Sequence, residues 1–412
     1  MSHFAWLDYS DSERRRVLDV VRSLSEKDTR DELGLATVRD GLADLLAPGI
    51  STIQTRARYF LFVPWLYQQL EEDVQKRRGN VTKDWIASRA RKKETSLIKE
   101  LLASEDAAGT IGAWSGKSVQ RLPSSVYWNG LREWGIRLSH WSIDAHHHRL
   151  AVHGPPSRSS DREWAVLPNW HPGLPLAPEG FPKGATMRLK SKEAEYLAGR
   201  ILETHPNSLL GQLVLNGDDV SELSAPWEVL DWRMHLTPDV AGVVRHAREF
   251  SLAMHGVMLI YNLMLAEAPA DPRADWVERY RSLVGDWADE MRACWERFAG
   301  WDRADFWRTV ERSRPNVPLS SRRFIDSWLD RLLAADDLAA LAYDPAVRNL
   351  IDNRERELKG SQARLHNPRM LELWNGDTGA GTGRMAYRWD VMRTHLTDIR
   401  VALTEPAAVA HA

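Results

Sequence analysis

Apolar positions recur along the chain at the three- and four-residue spacing of amphipathic helices, and this spacing predicts most of its elements. Val17, Leu18, Val20, Val21 and Leu24 follow Ser10-Asp11-Ser12-Glu13, a capping-box pattern in which hydroxyl and carboxylate satisfy the free amides of a helix start. A short helix is expected over about 37–46, stopped by Ala47-Pro48-Gly49. The next, about 55–74, is crowded with Tyr59, Phe60, Leu61, Phe62, Trp65, Leu66 and Tyr67. Pro64 inside it is expected to kink or split it, because proline lacks an amide donor and its ring crowds the preceding turn. Another helix, about 82–102, carries the basic run Arg89-Ala90-Arg91-Lys92-Lys93. Helical spacing returns at about 191–203, 207–213, 238–267, 271–298, 321–334 and 385–403.

Between 148 and 190 the periodicity lapses. Seven prolines fall there (Pro155, Pro156, Pro168, Pro172, Pro175, Pro178 and Pro182), with two β-like pieces, Leu150-Ala151-Val152 and Trp164-Ala165-Val166-Leu167. The expected fold is mainly α: a multi-helical globular protein with a Pro-rich central loop region carrying a small β-hairpin. Three stretches are expected: a basic N-terminal helical lobe over 1–150, a linker or functional loop over 151–190, and a C-terminal helical lobe over 191–412.

Composition narrows the class. The 412 residues are 43% apolar and 27% charged with a net charge of −2, the balance of a soluble protein rather than a disordered or globally basic one. The single cysteine, Cys294, excludes an internal disulfide and a cysteine-based zinc site. No basic stretch followed by an apolar core opens the chain, and polar residues interrupt every long apolar window, so a cytoplasmic protein without a membrane span is expected. The chain holds 44 Arg against 11 Lys, and 19 Trp. Arginine forks recognise phosphates and base edges and indoles offer stacking faces, yet GC-rich codon usage and ordinary core tryptophans produce the same counts. Residues 51–150 carry more basic than acidic side chains, which suits either a nucleic-acid footprint or a solvated helix face.

Two constellations stand out. Arg121-Leu122-Pro123-Ser124-Ser125-Val126-Tyr127-Trp128-Asn129 reads as a helix start, with Ser124 or Ser125 as cap and a stacking and hydrogen-bonding group at Tyr127, Trp128 and Asn129. It reads also, and first, as a core helix, and as a recognition helix with Leu150-Ala151-Val152 as a wing strand. Three consecutive residues cannot share one helix face, so part of this cluster belongs to the core under any of these readings. In the second, Ser251, His255 and Asn262 line one face of an otherwise apolar helix and need polar partners, from the protein or from a ligand. His146-His147-His148 lacks metal-ligand spacing, and Gly379-Ala380-Gly381-Thr382-Gly383 lacks the preceding strand of a dinucleotide fingerprint, so no metal and no cofactor is expected. Paired carboxylates at metal spacing, which a nuclease would need, are missing from the pattern.

A family resemblance rests on strings spread through the chain: Phe4-Ala5-Trp6-Leu7-Asp8-Tyr9, Asp28-Thr29-Arg30-Asp31-Glu32-Leu33-Gly34, and the 51–65 string from Ser51 through Gln54 to Trp65. Residues 123–135, 250–262 and Tyr387-Arg388-Trp389 complete it. Together they resemble a bacterial family of about this length, long catalogued as of unknown function. Its members occur in phage-defence loci, and one branch is described as DNA glycosylases that excise glucosylated hydroxymethylcytosine from phage DNA.

The resemblance therefore implies an anti-phage DNA glycosylase with modified phage DNA as its partner and no obligate protein partner. Such an enzyme flips its base into an aromatic, polar pocket and stabilises a positively charged sugar. On that reading Tyr127 and Asn129 line the pocket and position water, Trp128 is a stacking wedge, and Asp31 or Asp28 supplies the carboxylate. Arg56, Arg58 and Arg121 contact phosphates, and Ser251, His255 and Asn262 offer further substrate contacts. The alternative from another class is a non-enzymatic DNA-binding or scaffold subunit of a phage-defence system, with Tyr127 and Asn129 on a convex helix.

Overall fold

The computed structural model describes residues 31–113, 119–155, 168–232 and 235–404. The expected helix after Ser10, the Phe4–Tyr9 string, Asp28, the Trp164–Leu167 piece and the last residues, 405–412, lie outside them.

Among the described residues there are fifteen α-helices and no strand. They are α1 (Ala36–Leu46), α2 (Tyr59–Lys76), α3 (Lys83–Leu102), α4 (Pro123–Glu133), α5 (Ile143–His153), α6 (Ser191–Thr204), α7 (Leu209–Asn216) and α8 (Pro238–Glu267). There follow α9 (Ala274–Ala293), α10 (Trp295–Ala299), α11 (Arg303–Ser313), α12 (Leu319–Leu333), α13 (Pro345–Lys359), α14 (Pro368–Leu371) and α15 (Trp389–Thr404).

Several expectations are corrected. Leu150-Ala151-Val152 is helical, within α5: the Ser142 side chain caps that helix at the Ala145 amide, and Leu150 buries on the same face as His146. There is accordingly no wing strand there, and the described residues hold no hairpin, only an isolated antiparallel bridge between Arg137 and Trp170. The α2 helix runs through Pro64 without splitting. Neither Ser124 nor Ser125 caps α4: Pro123 opens it, and the buried Glu94 carboxylate takes the Ser124 amide at 2.7 Å. The 271–298 stretch is two helices, broken at Cys294.

The described residues pack as two compact units, one drawn from residues 31–42 with His246–Met385, the other from Ala43–Arg245 with residues 386–404. The division does not follow the 150/190 boundaries, and the Pro-rich stretch lies inside the second unit. Residues 59–67 of α2 are buried on every side and need a cover all round. Trp65 Nε1 donates to the Pro175 carbonyl at 2.7 Å, Gln69 to the Phe181 carbonyl at 2.8 Å, and Phe181 stacks on Phe62. In this unit α2 also packs on α3 and α4, α3 on α5, and α15 on α6 and α7.

In the first unit, the indoles of Trp287 and Trp328 each donate at 2.9 Å to backbone carbonyls of α8, those of Leu252 and Ala253. Gly256 makes the approach possible, since a Cβ there would collide with Trp287. By length and composition α8 is apolar enough to cross a membrane, and 94% of its most apolar window is buried in the fold.

Candidate functional site

The 51–65 string helps to line a concave surface of the second unit. Gln54 closes its first turn, donating to the Gly49 carbonyl at 3.0 Å and accepting from the Ser51 amide. Tyr127, fully buried on α4, receives the Thr55 amide at 2.8 Å and the Arg56 amide at 3.1 Å, and donates to the Arg56 carbonyl at 2.9 Å. Burial pushes its phenol well above the ordinary value. This hydroxyl fixes the backbone from which Arg56 projects.

Arg56 meets Asp398 of α15. Its Nε lies 3.0 Å from both carboxylate oxygens and its Nη2 2.8 Å from Oδ1, while the Ala57 amide donates to Oδ2 at 2.9 Å. Burial alone would lower the guanidinium pKa, but the hydrogen bonds and charge of Asp398 raise it. The pair is partly open, with side chains 23% and 9% exposed.

A concavity lies on either side of this pair. One, of about 500 Å³, is lined by the hydroxyl-bearing Thr55, Ser221, Thr394 and Thr397 together with Arg393. The other, of about 400 Å³, is lined by Asp106, Arg188 and Leu189. Burial would raise the Asp106 pKa, but hydrogen bonds from the Met187 and Arg188 amides and from Ser104, with the charge of Arg56, hold it below the usual carboxylate value. Arg393 is oriented by the Leu223 carbonyl at 2.8 Å. The arrangement offers cations, two held carboxylates and several hydroxyls, a donor set suited to a phosphate- and hydroxyl-bearing ligand.

Other expected site residues go elsewhere. Trp128 is core: its Nε1 donates to the Trp141 carbonyl at 2.9 Å, and its ring packs against Tyr67, His146 and Trp170 under the Arg137 guanidinium. Asn129 is exposed, pointing away from the two residues before it, and Arg121 is exposed as well. Arg58 is buried against Glu193 at 2.8 Å and the Thr186 carbonyl at 2.8 Å, so its fork is occupied inside the fold.

Asp31 falls in the first unit, where its Oδ1 receives the Leu35 and Ala36 amides at the start of α1. Burial raises its pKa against those hydrogen bonds. Ser251, His255 and Asn262 belong to the same unit, and their partners are protein groups. They donate to the carbonyls of Met385 at 3.1 Å, Thr382 at 3.2 Å and Ala380 at 2.8 Å. The polar stripe of α8 thus holds the Gly-rich loop. A Cβ at Gly379 would lie 2.6 Å from Asn262 Oδ1, which is why that position takes glycine.

Two carboxyls escaped the sequence reading. Glu71 receives the Asn169 amide at 2.9 Å and the Trp170 indole at 3.1 Å, and burial pushes it up to about 7. His146 lies 4.0 Å away and is no ion-pair partner, because burial pushes its imidazole down to about 3. Glu94, fully buried, is likewise pushed up to about 7, with Ser124 donating from both amide and hydroxyl. Glu94 stands at an apolar position of the α3 pattern, in phase with Ala90, Leu97 and Ile98, and that was its available signal. Asp398 carried none. Among the described residues no group of three or more His, Cys, Asp or Glu is arranged to hold a metal.

The chain belongs to a family of unknown function (DUF6361), which matches residues 1–402. No curated protein and no solved structure matches it.

Proposed function

We propose that this DUF6361 member binds phage DNA at the Arg56–Asp398 cleft in the cytoplasm and acts there as a glycosylase, releasing glucosylated hydroxymethylcytosine and leaving an abasic site. One observation carries the reading: a concavity of about 500 Å³ with a held carboxylate at its edge and four hydroxyl-bearing side chains in its lining. A base that bears a sugar needs such a roomy, polar site. In the reaction the C1′–N bond breaks and its electron pair leaves with the base; water adds its oxygen to C1′ and its proton ends on the released base. Asp398, held in place by Arg56, is the group suited to stabilise the positive sugar, and Arg393 to hold an adjoining phosphate. Tyr127 acts as a positioning residue through the backbone of Arg56.

The test is incubation of the protein with unmodified, hydroxymethylated and glucosylated phage DNA, scoring abasic sites and released base. Abasic sites confined to glucosylated DNA, and lost in Asp398→Asn, support the proposal. Absence of abasic sites in every substrate overturns it. A second reading, a DNA-binding subunit without excision, is favoured by Asn129, which shares the exposed face of α4 with Ser125 and Arg132. Binding without excision would select that one.

A further inference from the structure

We infer that the exposed face of α3 is a phosphate-contact track along which one strand of DNA runs into the Arg56–Asp398 cleft. The inference rests on the DNA-binding reading above and adds a surface to it.

Helix α3 buries Ile86, Ala90, Glu94, Leu97, Ile98 and Leu101 and turns the opposite face to solvent. Ser88, Lys92, Ser96 and Lys99 form an exposed stripe at the spacing of one helix face. The one carboxylate between Trp85 and Lys99, Glu94, lies on the buried face and is committed to Ser124. Several neighbouring cations are committed: Arg89 and Lys93 share Asp73, Lys83 pairs with Asp144, Lys76 with Glu72, and Arg91 donates to the Val119 carbonyl. Lys92 and Lys99 form no ion pair among the described residues. Between Asp84 at its start and Glu100, whose carboxylate accepts the Gly184 amide, at its end, the stripe carries two unpaired lysines and no acid.

Residue choice points the same way. Lys76, Lys83, Lys92, Lys93 and Lys99 are five of only 11 lysines in a chain that otherwise uses arginine. A lysine on a long stem is a mobile point charge, suited to a phosphate backbone rather than to a base edge. At the N-terminal end of the helix the exposed Arg77 stacks on Trp85, its guanidinium 4.2 Å from the ring.

The far end of the track reaches the cleft. Residues just beyond α3 line it: Asp106 on one side, Ala108 and Gly109 on the other. The Gly109 carbonyl accepts from Thr55 Oγ1 at 2.6 Å, joining this loop to the string that carries Arg56. Lys92 and Lys99 stand about two turns apart, roughly 10 Å along the axis, a distance spanned by about three phosphates of one strand. A strand laid along α3 would bring its next units to the mouth of the concavity.

The decisive experiment measures the salt dependence of DNA binding by fluorescence anisotropy, using the wild-type chain and the double variant Lys92→Gln/Lys99→Gln. Both positions are exposed and glutamine is nearly as good a helix former, so the fold is retained. Loss of two phosphate contacts should lower the slope of log affinity against log salt by about two and weaken binding about tenfold or more near 0.1 M salt. Excision at saturating DNA should stay unchanged, because the lysines do not reach the reacting atoms. The charge-matched control Arg323→Gln/Arg331→Gln, on the exposed side of α12, should leave the slope unaltered. An unchanged slope in the lysine variant, with wild-type binding intact, overturns the track and leaves the cleft reading standing. No DNA binding by the wild type overturns both.

Discussion

Tyr127 closes a two-way hydrogen bond with the backbone of Arg56, accepting its amide at 3.1 Å and donating to its carbonyl at 2.9 Å. A side chain that sequence reading cast as a substrate contact is thus a brace, and its neighbour two positions on, Asn129, is the exposed one.

Removing the brace and removing the exposed amide should therefore differ. Tyr127→Phe strands two part-buried amides, the Arg56 carbonyl keeping its bond from the Tyr59 amide, and should cost about 1–3 kcal/mol, with a matching fall in melting temperature and weaker DNA binding as Arg56 loses its anchorage. Asn129→Ala should change stability by less than about 0.5 kcal/mol. Equal melting temperatures for the two variants would refute this assignment.

Glu94 makes a pH prediction. Its folded pKa is about 7 against an ordinary 4.5, so the folded state keeps a proton that the unfolded chain releases between those values. Its contribution to stability is complete below pH 4.5 and is lost as pH rises to about 7. Glu94→Gln, which keeps an acceptor for Ser124 and has nothing to ionise, should gain on the wild type across that window, by about 1–3 kcal/mol at pH 8. Denaturant titrations of the two proteins at pH 4, 6 and 8 measure the gain, and a difference that does not grow with pH would exclude it. Glu71→Gln should behave alike, since Glu71 is shifted in the same direction by the same cause.

His395 has the opposite sign. It is fully buried among Phe60, Tyr127 and Trp134, neither ring nitrogen has a hydrogen-bond partner among the described residues, and burial pushes its pKa down to about 3. The unfolded chain takes up a proton below about 6.5 that the folded state refuses, so this residue costs stability as pH falls toward 3. His395→Phe, apolar and near in shape, should be neutral or stabilising at pH 7 and more stable than the wild type at pH 5. Thermal melts at the two values would show whether the advantage grows on the acid side.

The Gly-rich loop of the first unit depends on α8. Asn262→Ala leaves the Ala380 carbonyl without its donor and should cost about 1–2 kcal/mol. Hydrogen exchange of the 376–385 amides should quicken, while exchange at α2 and α3 stays as it is. Loss of protection spread evenly over both units would contradict a local role.

Legibility followed the range of the interactions involved. The helices α2, α3 and α8 were readable because a helix face is written in residues three and four apart. Leu150-Ala151-Val152 was misread because three apolar residues carry no period, and the Ser142 cap eight residues upstream decided the element. The α11 and α13 helices, thinly apolar and rich in charge, were missed for want of a strong stripe.

By itself, then, the sequence determined that this is a helical protein, where its longest helices run, and that neighbours such as Tyr127, Trp128 and Asn129 must part company. Those properties depend on local periodicity and on the fixed rotation per residue. Which polar groups meet was decided only by tertiary packing. Arg56 and Asp398 stand 342 positions apart, and Tyr127 lies 72 from Thr55. A polar side chain on an apolar helix signals that it needs a partner, but the partner's identity depends on which distant segments the core draws together, and no local pattern encodes that.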